Sequence, residues 1–169
     1  AHSLCYNFIQ PQWCEIQGQL NGRPFLHYNC GSNKATTLGP LGVEVNGTEG
    51  WRDQTGTLRN TVEELQKLLP GIKLENYTVS ELLTLKMCCQ RERDERTGAF
   101  WQFGFDGHVF LTFNSEDVWT EEHPGSRLIK QQWEKNRALN SLLIKTSKRD
   151  CHRWLEKFEG PWEKILEPI

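Results

Sequence analysis

Residues 100–120 read FWQFGFDGHVFLTFNSEDVWT, and no other stretch so narrows what this chain can become. Asp106-Gly107 suits a two-residue type I′ turn, whose backbone twist matches that of the strands it joins. That turn predicts Phe105 opposite His108, Phe103 opposite Phe110 and Trp101 opposite Thr112. Because side chains alternate, Trp101, Phe103, Phe105 and Phe110 then share one face. So much aromatic surface has to be covered by something large. A short third strand leads out through Trp119.

The rest of the chain supplies a cover, twice. Residues 2–9 alternate as a first strand, and residues 13–20 and 24–30 form a second pair around Asn21-Gly22-Arg23-Pro24. Asn-Gly favours a tight turn, but Pro24 has no N–H to give a ladder, so a three-residue loop over Asn21 to Arg23 is preferred. It sets Cys14 opposite Cys30, where a bridge across the hairpin is possible. Residues 31–45 read as loop with a short edge strand. A helix follows, capped by Asn46 or Thr48, with Trp51, Leu58, Val62, Leu65 and Leu69 on its apolar face. Gly56 weakens it and Pro70-Gly71 ends it. The second half repeats the plan: a strand over 83–89, a charged turn over 90–98, the aromatic hairpin, then a break at His123-Pro124-Gly125. Leu128, Ile129 and Trp133 begin a helical stretch that is broken near Asn136 to Ser147. It resumes at Asp150, with Cys151, Trp154, Leu155 and Phe158 on one face, until Gly160-Pro161. Strands then helix, twice, argues α+β: an antiparallel sheet with two long helices on one face.

Six cysteines accompany this pattern. Cys151 on the apolar face of the last helix points at the sheet. Cys88 and Cys89 are adjacent on a strand and face opposite ways. If Cys89 meets Cys151, Cys88 lies on the underside, where Cys5 can bridge it if the two strands are neighbours. The alternative is a pair of buried thiols. Two glycosylation sequons, at Asn46 and Asn76, together with an even cysteine count favour an extracellular, disulfide-bonded protein. With no CxxC pair, and only His152 beside a cysteine, no zinc site or other metal is expected. A net charge of −2 gives no reason to expect nucleic acid as partner. No apolar run approaches the roughly 18 residues of a membrane span. No leader is visible, so an exported protein would be a processed or trimmed chain. Nucleophile elbow, HExxH and phosphate-loop motifs do not occur, so neither an enzyme nor a cofactor is expected.

Longer motifs carry a family resemblance. They are His2-Ser3-Leu4-Cys5-Tyr6, Trp13-Cys14, Gln17-Gly18-Gln19, Phe25-Leu26-His27-Tyr28-x-Cys30-Gly31 and Leu74-Glu75-Asn76-Tyr77-Thr78. Trp101-Gln102-Phe103-x-Phe105-Asp106-Gly107, His123-Pro124-Gly125, and Asp150-Cys151 with Trp154-Leu155-Glu156 continue the series. In this order they resemble the ULBP and retinoic-acid-early-transcript family of MHC class I-like ligands for natural killer cells. The resemblance implies an α1–α2 platform alone, an eight-stranded antiparallel sheet under two long helices. Residues 1–169 would form it, 1–78 the α1-like half and 79–169 the α2-like half, without an α3 domain, β2-microglobulin or bound peptide. Family members sit on the cell surface through an anchor and bind the homodimeric natural killer group 2 member D receptor, one ligand per receptor dimer. The family's two bridges match Cys14–Cys30 and Cys89–Cys151; Cys88 departs from the pattern.

Receptor contacts carry over to outward positions on both helices. These are Arg59, Glu63, Gln66 and Lys67 on the first, and Arg137, Ser141, Ile144, Lys145, Lys148 and Asp150 on the second. Asp150, the acid before the helix cysteine, would meet a basic receptor group. Lys145 stands where relatives often place an apolar or aromatic anchor. The competing readings are a carrier of the same fold that presents a small ligand between its helices, and a soluble viral decoy.

Overall fold

A computed structural model describes residues 2–9, 15–29, 32, 34–68, 73–74, 77–78, 83–105, 108–122 and 126–166. Among the described residues ten strands fall in chain order: β1 His2–Ile9, β2 Glu15–Leu20, β3 Arg23–Asn29, β4 Lys34–Thr37, β5 Lys73–Leu74, β6 Tyr77–Thr78, β7 Leu83–Arg91, β8 Thr97–Phe105, β9 His108–Phe113 and β10 Trp119–Glu121. Eight of them form one antiparallel sheet in the order β10-β9-β8-β7-β1-β2-β3-β4, and β5 pairs with β6. The halves join where β1 meets β7, with Cys5 opposite Cys88. Alternation places Leu4, Tyr6, Phe8, Leu85, Met87, Cys89, Ala99, Trp101 and Phe103 on the buried upper face.

Five α-helices are described: α1 Gly39–Val45, α2 Glu49–Leu68, α3 Arg127–Glu134, α4 Arg137–Ile144 and α5 Cys151–Leu166, with a π-helical segment over Lys145–Asp150 between the last two. None of the described helices is long and apolar enough to cross a membrane. α2 presents Trp51, Leu58, Val62 and Leu65 to the core, and the later helices present Ile129, Trp133, Leu139, Leu143, Trp154, Leu155 and Phe158. Thr48 caps α2, accepting from the Trp51 N–H at 3.2 Å, and Asn46 is instead the C-cap of α1. Gly56 does not interrupt the helix.

Several expectations are corrected. The β2–β3 turn has two residues: Leu20 pairs with Arg23, and Asn21 and Gly22 take φ of 49° and 78°. Pro24 is accommodated by a bulge between Gly18 and Gln19, after which Glu15 pairs with Asn29. Cys14 and Cys30 lie outside the described residues, as do Leu69, Pro70-Gly71, Asp106-Gly107 and His123-Pro124-Gly125. In the aromatic hairpin Phe105 does pair with His108. A second bulge shifts the register there, so that Phe103 faces Leu111 and Trp101 faces Phe113. The inward face is thus Trp101, Phe103, Leu111 and Phe113; the side chains of Phe105 and Phe110 are outside the described part. The cover is aromatic as well, with the Trp133 ring 5.0 Å from Phe103 and 5.5 Å from Trp119.

Residues 39–45 are helix rather than loop, started by Pro40 in the first turn. The charged turn shrinks to residues 92–96, because β7 runs to Arg91 and β8 starts at Thr97. Leu128 is 73% exposed and belongs to no apolar face. The second helical stretch is interrupted only at Lys135-Asn136, where the Asn136 side chain accepts from the Leu139 N–H at 3.1 Å. It then runs on past Gly160-Pro161 to Leu166.

The π segment has a local cause. The Thr146 hydroxyl donates to the Leu142 carbonyl at 2.9 Å, and the Ser147 hydroxyl to the Leu143 carbonyl at 2.7 Å. The Trp101 indole, rising from the sheet, donates to the same Leu143 carbonyl at 3.0 Å. With these acceptors occupied by side chains, the ladder steps to five-residue spacing, as in the Cys151 N–H bonded to the Thr146 carbonyl.

Both bridges at the joined halves are present. Cys89 is bonded to Cys151, tying α5 to the upper face, and Cys5 is bonded to Cys88 on the face below.

Candidate protein-binding surface

The upper surface is built by α2 on one side and by α4, the π segment and α5 on the other. At the start of α2 the two sides touch. A Cβ added to Gly50 would lie 2.9 Å from the Lys157 Cβ and 3.0 Å from Phe158 Cε1, so only glycine permits this approach. One carboxylate fastens the contact: Asp53 Oδ2 accepts from Arg153 Nε and from Trp154 Nε1, each at 2.9 Å. Lys157 Nζ lies 3.5 Å from Glu49. Beneath them the Tyr6 hydroxyl donates to Gln54 Oε1 in the core. The Phe25 ring, 6.2 Å from Trp51 and 5.6 Å from Phe158, completes a packed floor. Trp51, Gln54, Trp154 and Phe158 are all buried, so the furrow between α2 and α5 is filled by the protein's own side chains.

Electrostatics follow from this closure. Burial alone would push the Asp53 carboxyl up, but hydrogen bonds from Arg153 and Trp154, with the Arg153 charge, hold it below the usual carboxylate range. The Tyr6 hydroxyl is raised well above its ordinary value by burial. His152 is half-buried; burial draws its pKa down, the Gly98 backbone bond opposes this, and the Arg91 charge adds to the lowering. No group of three or more His, Cys, Asp or Glu placed to hold a metal occurs among the described residues.

The expected contact residues separate into three groups. Arg59, Glu63 and Lys67 on α2, and Arg137, Ser141 and Lys145 on the opposite side, are exposed as expected. Gln66, Ile144 and Lys148 are half-buried. Lys148 leans toward the sheet edge, its Nζ 2.9 Å from Asp117 Oδ1 between β9 and β10. Asp150 is corrected: its side chain is 3% exposed and lies under a cationic cover. Arg153 Nη1 is 3.2 Å from Oδ1, Lys145 Nζ 3.8 Å from Oδ2, and Arg149 Nε 3.9 Å from Oδ1. The outward surface at this point is therefore formed by those cations rather than by the acid. The π segment turns Asp150 inward together with Thr146 and Ser147. Sequence reasoning missed Arg149 and Arg153, both exposed; their spacing of four from Lys145 was the signal. Asn46 is exposed between α1 and α2, and Asn76 lies outside the described residues.

Comparison with known proteins adds to this geometry. A family model described as class I histocompatibility antigen, domains alpha 1 and 2, matches residues 7–160. Human UL16-binding protein 1 is 44% identical over 178 aligned residues, which cover 99% of this chain and 73% of that protein. Human UL16-binding protein 2 is 41% identical over 177, covering 99% and 72%. Human retinoic acid early transcript 1E is 40% identical over 178, covering 99% and 67%.

Proposed function

The chain belongs to the MHC class I α1–α2 family, in its UL16-binding protein and retinoic-acid-early-transcript group, and on that premise we propose that it is a cell-surface ligand of the natural killer group 2 member D receptor, triggering cytotoxicity. One platform, 1–169, with halves 1–78 and 79–169, engages one receptor dimer through the outward side of both helices. It works as a binding protein rather than an enzyme, without β2-microglobulin or a presented peptide.

The observation that carries this reading is the closed furrow. With Gly50 against Phe158, and Asp53 joined to Arg153 and Trp154, the start of α2 is packed directly on α5 and the furrow between them is closed. That shape suits a protein partner and leaves no slot between α2 and α5 for a peptide. On the underside, Asn7, Gln17, Gln19, Lys86 and Gln102 alternate with the buried residues, so that face carries several half-buried polar side chains.

The test is surface plasmon resonance of the soluble chain over immobilised dimeric receptor. Saturable binding at one chain per dimer is expected, weakened by Gln66→Ala on α2 and by Lys145→Ala on the other side. A folded sample that shows no saturable binding would sink the reading. Native mass spectrometry of the purified chain distinguishes the carrier: a co-purifying small ligand would favour it.

A further inference from the structure

Six outward positions of the second helical side fall four residues apart: Arg137, Ser141, Lys145, Arg149, Arg153 and Lys157. All six are exposed, and five are cationic. At about 1.5 Å per residue this row runs for about 30 Å, most of the length of that side. Residues 127–166 hold ten Lys or Arg against five Asp or Glu, a net of +5 in a chain whose net charge is −2. Residues 49–68, forming α2, hold three cations against four anions. The molecule is therefore polarised across its upper surface, basic along one helical side and mixed along the other.

How the row is compensated matters. Arg153 is paired with Asp53 and Lys157 with Glu49, both across the helix contact. Lys145 and Arg149 are balanced from beneath by Asp150, which leaves their outward faces to solvent. Arg137 has no ion-pair partner among the described residues. The exposed acid of the same helix, Glu156, acts on Arg91 at the other flank. Cations held this close repel one another, and an approaching anionic surface relieves that repulsion and is drawn in by it.

We propose that this ridge docks on an acidic protein surface, so that the half of the partner facing α4 and α5 presents carboxylates to Arg137, Lys145 and Arg149. The proposal rests on the receptor reading above and specifies its chemistry on one side only. A discrete acidic patch fits better than a linear polyanion such as a sulfated glycan. A long polyanion lying along the ridge would also run beside Glu49 and Asp53 of α2.

The ectodomain of the dimeric receptor is the probe, with association rates measured at NaCl from about 50 to about 300 mM. Two variants are compared with the unaltered chain: Lys145→Gln with Arg149→Gln, and Arg137→Glu with Ser141→Glu. The second lies clear of Asp150, alters two exposed side chains and places one acid at the first residue of α4, where it suits the helix dipole, and its fold is checked by circular dichroism. The unaltered chain should associate more slowly as salt rises. The Arg137→Glu, Ser141→Glu variant should associate about tenfold more slowly at low salt, with a flattened or inverted salt dependence and a dissociation rate changed far less. Equal rates and equal salt slopes for variant and parent would overturn the acidic docking surface while leaving the receptor reading intact. Binding of the parent to immobilised heparin that both variants abolish, with receptor association unchanged, would assign the ridge to a glycan and overturn the proposal. If the folded parent does not bind the receptor at all, the receptor reading fails and this inference fails with it.

Discussion

Replacing Gly50 by alanine puts a methyl group where α2 and α5 already touch. The new carbon would sit 2.9 Å from the Lys157 Cβ and 3.0 Å from Phe158 Cε1, inside the 3.5–4.0 Å optimum for carbon contacts. The Lys157 Cβ is fixed to its backbone, and the Phe158 ring is held in the core against Phe25. Neither can swing away, so the helices must separate. Overpacking of this kind costs about 1–3 kcal/mol. The helix-propensity gain from glycine to alanine, at most about 1 kcal/mol and smaller at the second residue of a helix, offsets only part of it. A net destabilisation of about 1–2 kcal/mol follows. Gly56 lies in the same helix with nothing within 4 Å of its added Cβ, so Gly56→Ala should stabilise by about 0.5–1 kcal/mol. The two alanine variants should differ by about 2 kcal/mol, or about 4–8 °C in Tm for a chain of this size. Urea unfolding followed by circular dichroism, with m-values compared, measures the difference. If Gly50→Ala proved as stable as the parent, the helices would not be in contact and the filled furrow would have to be abandoned.

Three further outcomes are expected. Cys5→Ser with Cys88→Ser, removing a bridge that spans 83 residues of sequence, should lower stability by about 2–4 kcal/mol in urea. Receptor binding should be unchanged, because the bridge lies on the face away from the helices. Tyr6→Phe leaves the buried Gln54 amide with neither atom bonded, since Nε2 already has no hydrogen-bond partner, and should cost about 1–3 kcal/mol by the same assay. The His152 pKa is lowered in the fold, so the unfolded chain binds the proton first. Stability should fall as pH drops through the unfolded value of about 6.5 and level off below the folded one. Thermal melts of His152→Gln should show a shallower loss over that window, and an unchanged slope would remove His152 as the cause.

Much of this was legible because it depends on alternation and spacing alone. Adjacent Cys88 and Cys89 must face opposite ways on any strand, and that placed one sulfur above the sheet and one below. The apolar series Trp51, Leu58, Val62 and Leu65 located α2 through its period. The misreadings arose where a tertiary contact overrode a local rule. The bulge opposite Phe103 moves Phe113 to the inner face, a shift that the hairpin turn cannot announce. Residues 136–147 read as a break in the sequence, yet Thr146 and Ser147 lie buried in a continuous helical path. They point inward because the Trp101 indole, from a distant strand, occupies the Leu143 carbonyl and the helix widens there. Asp150 was read as an exposed acid for the same reason, since its burial is a product of the π segment. Helix α1 was lost to its glycines and proline, residues that mark a loop unless the proline sits in a helix's first turn.

The side chains that occupy the furrow also fix how the protein's stability responds to its surroundings. A binding partner that favours the native state adds RT ln(1 + [L]/Kd) to its stability, so a carrier is only as stable as its cargo is abundant. Here Trp51, Gln54, Trp154 and Phe158 take the place such a cargo would need, and they are tethered to the chain itself. Their effective concentration never changes. The native state then does not depend on the supply of a cargo to fill that part of the furrow.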